Sequence, residues 1–269
     1  MTAILGILNV TPDSFSDGGS WATADDAIEH GLALVDDGAD FIDVGGESTR
    51  PGAERVGEDE EHERVLPVIA GLVSHGVSVS VDTMRASTAL LAVEAGATII
   101  NDVSGGLADP EMHAAVAATT ADYVVMHWPG LGHDVPEYVD VVREVRHELK
   151  LRLAELIIHG VDPARVIVDP GIGFAKDPEQ NWQLLGHVAD LTTLDTRVLV
   201  GVSRKRFLAP FAADGAPATD RDAATATISA LAAQAGAWGV RVHNVAATRQ
   251  VLDVWDRWHQ GATMQGAAS

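Results

Sequence analysis

The sequence contains no cysteine, so disulfides and thiolate-held metals or clusters are excluded, and any bound metal must take oxygen or histidine ligands. Cations are scarce: 18 Lys and Arg stand against 39 Asp and Glu, a formal net charge of -21. Such a balance argues against general binding of nucleic acid or acidic membranes, both of which call for a basic surface. It suits a solubilising surface, and equally a salt-rich cytoplasm in which ions screen self-repulsion within about one Debye length. One corollary bears on chemistry: if the substrates are anions, the few cations must gather at the site. No apolar run reaches membrane-spanning length, and the start of the chain carries neither a basic leader nor a small-residue cleavage pattern. A cytoplasmic protein, neither secreted nor embedded, is expected.

What remains is ordinary globular material: 269 residues, 46% hydrophobic and 21% charged. Runs rich in Val, Ile and Leu, too continuous for a half-exposed sheet, alternate with helical patterns from end to end. The strands are expected at Ala3 to Val10, Phe41 to Gly45, Ser78 to Asp82, Thr98 to Asp102, Tyr123 to His127, Val166 to Asp169, Val198 to Ser203 and Gly239 to His243. Gly38-Ala39, Gly96-Ala97 and Gly236-Ala237 each close a helical stretch just before a strand, as glycine suits a left-handed C-cap. Thr23 with Asp26 reads as a capping box with Asp in place of Glu, and Glu58 to Glu61 as a solvated, acidic helix start. Parallel strands with crossover helices at this chain length predict a single (β/α)8 TIM barrel in preference to a doubly wound sheet. The barrel is expected over residues 1–259, with a flexible tail over 260–269.

Polar residues stand at every strand end: Asn9, Asp43 with Glu47, Asp82, Asn101 with Asp102, His127, Asp169, Ser203 with Arg204 and Lys205, and Arg241 with His243. In a barrel these ends converge on one face, where active sites lie. A lone Asp after a strand is commonly a helix cap, and that reading stays open for each member, but it does not account for the whole set. The loops beginning at Asn9 and Gly45 exceed a minimal βα turn and are rich in hydroxyls and turn formers; the second carries Arg50, a ready partner for an anion. Ser203-Arg204-Lys205 and Arg241-Val-His243 follow the last two strands, where barrels frequently bind phosphate. Arg204 fits anion binding and surface ion pairing equally well.

The motifs Gly6-Ile-Leu-Asn-Val-Thr-Pro-Asp-Ser-Phe-Ser-Asp-Gly-Gly19, Asp43-Val-Gly-Gly-Glu-Ser-Thr-Arg-Pro-Gly52, Ser80-Val-Asp-Thr83, Asn101-Asp-Val-Ser-Gly-Gly106, Asp169-Pro-Gly-Ile-Gly-Phe174, Ser203-Arg-Lys205 and Arg241-Val-His243 occur in order. With them the chain resembles bacterial dihydropteroate synthases over nearly its whole length. The resemblance implies that Asp82, Asn101, Asp169 and Lys205 hold a pterin, with Asp82, Asp169 and Lys205 also serving catalysis. It implies that Asn9, Thr49, Arg50, Arg241 and His243 receive a diphosphate, Asn9 through Mg2+. The p-aminobenzoate pocket would draw on Phe15, Pro51 and Ser203, where sulfonamides should compete. A homodimer is implied as well.

The chain departs from the family pattern at Trp128, where many relatives carry methionine, and at Asn244, where aspartate is usual. His127 receives no catalytic role. Two rivals are a catalytically inactive pterin-binding paralogue and a pterin-dependent methyltransferase barrel; the cations at Arg50, Arg204-Lys205 and Arg241-His243 speak against the latter, which has no diphosphate to hold. Val251, Leu252, Val254, Trp255 and Trp258 form an apolar stripe on the last helix, suited to packing on the barrel or to a dimer contact.

Overall fold

A computed structural model describes residues 1–10, 23–47, 56–130 and 137–263. Eight parallel strands close a barrel in sequence order: β1 (Ala3–Asn9), β2 (Phe41–Gly45), β3 (Val79–Asp82), β4 (Ile99–Asp102), β5 (Asp122–Met126), β6 (Val166–Asp169), β7 (Arg197–Val200) and β8 (Gly239–Val242). The crossovers are α1 (Ala24–Asp36), α2 (Glu58–Ser74), α3 (Ala86–Glu94), α4 (Met112–Ala117), α5 (Val141–Ile158), α6 (Pro178–Gly186) with the short α7 (Val188–Leu191), and α8 (Asp222–Gln234); α9 (Val245–Thr263) ends the described chain. The last turn of α9 and residues 264–269, which lie outside the described residues, occupy the stretch expected as a tail.

The continuous apolar runs arise because these strands are covered on both faces. Val44, Val81, Ile100, Val125, Val168, Val200 and Val240 point outward into the helical layer, while Leu5, Ile99, Val124, Ile167 and Leu199 fill the barrel interior. Each such side chain contributes about 1.5–3 kcal/mol on burial, so the two layers fix strand register strongly. The amino-terminal end is plugged: Arg197 pairs with Asp122 at 2.8 Å and lies 5.2 Å above the Trp238 ring, which packs against Phe41. The carboxyl-terminal end is polar.

The junctions behave largely as their residues dictate. Gly38, Gly96 and Gly236 take φ of 104°, 106° and 90°, and Thr23 and Asp26 form the reciprocal capping box at the start of α1. Three expectations need correction. Strands β7 and β8 stop before Ser203 and His243, because Arg204 turns left-handed at φ 59° and His243 gives its backbone N–H to the Ser203 hydroxyl instead of to a ladder. The segment after β7 first forms short 3-10 turns at Arg206–Phe211 and Ala218–Arg221, with prolines at 210 and 217, before α8 begins. Glu61 is not part of a solvated helix start: it is 1% exposed and bonded to Thr83, Thr88 and Arg85.

Candidate active site

Register decides which strand-end residues meet. Gly45 lies opposite Asp82, Asp82 opposite Asn101, and Leu5 opposite Arg241, so these side chains share the inward face. There Arg241 donates from Nε to Asp43 Oδ2 at 2.5 Å and from Nη2 to Asp82 Oδ2 at 2.6 Å, and Asn101 Nδ2 donates to Asp43 Oδ2 at 3.1 Å. The guanidinium thus stands between two buried carboxylates. Burial works against its charge, but Asp43 and Asp82 outweigh burial and hold it more firmly protonated than an ordinary arginine. For Asp82 the balance runs the other way: burial, only partly relieved by Arg241, raises the carboxyl to about 7. The second oxygens, Asp43 Oδ1 and Asp82 Oδ1, and the Ser80 hydroxyl are buried without a partner among the described residues. Buried polar groups left unpaired are costly.

Across the mouth sits Asp169, whose Oδ1 accepts from the Gly171 N–H at 2.7 Å. Burial raises its pKa while Lys205 and the Gly171 N–H pull it down. Lys205 donates to the Ile172 carbonyl, stands 4.4 Å from the Phe174 ring centroid, and is lowered to about 8 by burial against the opposing pull of Asp169. Gly201 lies between the two halves of the site: a Cβ there would come within 3.6 Å of Asp169 Oδ2 and 3.8 Å of Arg241 Cβ. A side chain at 201 would thus stand between the Asp169 carboxylate and the base of the Arg241 side chain. An anionic group with a flat, donor-bearing ring suits such a cleft, carboxylates reading the ring and cations its charge.

Ser203 Oγ lies 2.9 Å from His243 Nδ1, which brings these two residues together on the β7–β8 side. Asn9 is half-buried at the end of β1. Phe15, Thr49, Arg50 and Pro51 lie outside the described residues. Arg204 resolves as an ion pair, its Nε and Nη2 donating to Asp222 at 2.7 and 2.9 Å. Asp102 is also structural, since it accepts from Ser104, Gly106 and the Tyr123 hydroxyl. Asn244 caps α9 through Ala247 N and donates to Asp222 Oδ2 at 3.0 Å. Asparagine is thus favoured over the family's aspartate by a neighbouring carboxylate. Asn244→Asp should lower stability by about 1–2 kcal/mol in urea denaturation, because a donor facing Asp222 becomes an acceptor, and should leave turnover near that of the parent.

The sequence places Asp43 among the polar strand ends without a ligand of its own, whereas its inward parity and the Asn101 and Arg241 contacts put it at the centre. Sequence reading passed over Arg85, which bonds to Glu47 and Glu61 and to the Val56 carbonyl, and Lys176 behind the loop after β6. The signal for Asp43 was present in its two-residue spacing from Gly45; the partners of Arg85 are too distant in sequence to be read.

Comparison with known proteins agrees with this geometry. The family model for "pterin binding enzyme" matches residues 5–243. The chain is 48% identical to the dihydropteroate synthase of Mycobacterium leprae (strain TN), with 97% of this chain and 95% of that protein covered. A structure of Xanthomonas albilineans dihydropteroate synthase with 4-aminobenzoic acid superposes with a TM-score of 0.90 at 44% identity, covering 96% of this chain and 93% of that one. The same enzyme in complex with 7,8-dihydropteroate gives a TM-score of 0.87 at 41% identity over 96% and 94% of the two chains. A barrel whose mouth pairs buried carboxylates with Arg241 and Lys205, matched along nearly its whole length, belongs to the pterin binding enzyme family, among its dihydropteroate synthases.

Proposed function

We infer that the chain condenses 7,8-dihydropterin-6-ylmethyl diphosphate with p-aminobenzoate, giving 7,8-dihydropteroate and diphosphate in folate biosynthesis. The observation that carries this reading is the set of buried carboxylate oxygens of Asp43 and Asp82, unpartnered among the described residues, in the cleft that also holds Asp169 and Lys205. A pterin edge offers an amidine-like pair of donors together with carbonyl and ring-nitrogen acceptors. Asp82, Asn101 and Asp169 suit the first and Lys205 the second.

In the reaction the lone pair of the aniline nitrogen forms a bond to the pterin methylene carbon. The carbon–oxygen bond breaks, its electron pair leaves on diphosphate, and an amine proton passes to solvent. Aniline nitrogen needs no strong base, so the work is electrostatic and positional. Ionised Asp82 and Asp169 favour positive charge developing on the pterin methylene, in a course where carbon–oxygen cleavage runs ahead of attack. Arg241 and His243, with Thr49 and Arg50, are proposed to receive the departing diphosphate. Ser203, Phe15 and Pro51 are proposed for the aminobenzoate, its carboxylate on the hydroxyl.

Mg2+ fits the donors at hand in one way. Among the described residues no group of three or more His, Asp or Glu is placed to hold a metal. One amide oxygen from Asn9, shared with diphosphate oxygens and water, is a set that Mg2+ accepts readily. When bound, the ion neutralises charge on the leaving group. Chelation is expected to suppress turnover, and added Mg2+ to restore it.

Val254 and Trp258 on α9 are exposed, Trp258 at 81%, whereas Leu252 is buried. The outer part of this stripe is consistent with the homodimer we propose, which light scattering tests. No helix among the described residues is long and apolar enough to cross a membrane, and a cytoplasmic location is proposed. The deciding assay follows diphosphate release with and without p-aminobenzoate. Release that requires the amine and yields dihydropteroate is expected; no release would favour an inactive paralogue or a methyltransferase barrel.

A further inference from the structure

Behind the cleft lies a buried cation that the reaction does not use. Lys176 is 8% exposed, and its ammonium has three acceptors: Gly171 O at 3.0 Å, Phe174 O at 3.1 Å and His127 Nδ1 at 3.1 Å. His127 is itself buried, with Nε2 at 3.0 Å from Glu148 Oε2. An imidazole that accepts at Nδ1 carries its proton on Nε2, so the network assigns a neutral ring donating to Glu148. Burial, helped by the Lys176 charge, lowers the His127 pKa despite Glu148, and keeps that form. Burial also lowers Lys176 to about 7, so the site is costly and three well-placed acceptors offset only part of the cost.

What the lysine holds is short and specific. Gly171 and Phe174 bracket Ile172 and Gly173, and Ile172, Gly173 and Phe174 all touch the Lys205 side chain. Ile172 O accepts from Nζ, the Phe174 ring lies 4.4 Å from it, and Gly173, at φ 79°, packs so close that a Cβ would fall 2.6 Å from Lys205 Cδ. We infer that Lys176 is a positioning residue for pterin binding: by tying the Gly171 and Phe174 carbonyls to His127 on the neighbouring strand end, it shapes the cradle that aims Lys205 into the cleft. The inference rests on the reading that Lys205 touches the pterin.

The test is a double-mutant cycle read by calorimetry with 6-hydroxymethyl-7,8-dihydropterin, which lacks the diphosphate, alongside steady-state kinetics. Lys176→Met is expected to weaken pterin binding at least tenfold and to shift the KM for p-aminobenzoate less than twofold. In the Lys205→Met background the same change should cost less than a further twofold, because its target is already gone. A general packing defect would instead move both substrates and multiply with Lys205→Met. Pterin affinity unchanged in Lys176→Met, or full multiplicativity in the cycle, overturns the inference alone. Wild-type pterin affinity in Lys205→Met overturns the assignment of Lys205 as well. If Lys176→Met does not fold, Lys176→Gln, which keeps two donors for the carbonyls, carries the same cycle.

Discussion

Arg241→Met is expected to abolish measurable turnover and to cost the free protein about 3–5 kcal/mol, the usual penalty for removing one partner of a buried ion pair. Asp43 and Asp82 are 0% and 5% exposed, and both lean on this one guanidinium. Without it two carboxylates face each other in a confined space, and the easiest relief is protonation. Asp82 already sits near 7 with the arginine present, so its pKa must climb further in the variant. A carboxyl whose folded pKa lies above its unfolded value costs nothing below the unfolded pKa and its full penalty above the folded one. The stability deficit of Arg241→Met relative to the parent should therefore be greatest above the variant's raised Asp82 pKa and shrink as pH falls toward 7, below which Asp82 is protonated in both folded proteins. Urea denaturation at several pH values checks this, and a deficit that does not vary with pH would show that packing, not charge, was lost. Arg241→Lys should recover part of the stability and little activity, since an ammonium cannot serve two carboxylates in the planar fork geometry.

Lys205→Met is expected to reduce kcat/KM by roughly 100- to 1000-fold, the scale of losing one preorganised charged donor, and yet to make the empty protein more stable near neutral pH. The sign follows from linkage. Free lysine titrates at 10.5, whereas burial lowers Lys205 to about 8, so between these values the unfolded chain binds more protons and stability rises with pH. Below about 8 the folded protein carries the full cost of a desolvated ammonium, and methionine removes it. Thermal melts from pH 7 to 10 should accordingly be flatter for the variant. The wild-type kcat/KM should fall on the alkaline side with a midpoint near 8, and that limb should be missing in Lys205→Met. A variant that is both active and unstabilised would refute the assignment of Lys205 to the pterin.

Much of this was legible in the chain. Continuous Val, Ile and Leu runs marked strands covered on both faces, glycines at 38, 96 and 236 marked helix exits, and polar residues at eight strand ends marked the working face. Asp82, Asn101, Asp169 and Lys205 could be named because the motifs that carry them resemble those of a known family. What escaped was pairing. Whether Arg204 serves the site depends on one dihedral: at φ 59° its side chain swings to Asp222, a partner 18 residues on, and no spacing rule conveys that. Glu61 looked like its exposed neighbours at the start of α2 until Thr83, Thr88 and Arg85 converged on it from another part of the chain. Lys176 lies two residues past the Asp169–Phe174 motif, and its role depends on His127, 49 residues away.

Arg85 carries one more consequence. Its two arms bind Glu47 and the carbonyl of Val56, which are the entry and exit points of the chain between them, and Arg64 holds the Gly46 carbonyl beside the entry. Glu47, Val56 and the α2 residue Glu61 are thus held by one guanidinium at the start of α3, so a single side chain couples the end of β2 to α2 and α3. Loss of that one guanidinium would release three elements together and leave two buried carboxylates, Glu47 and Glu61, without their cation.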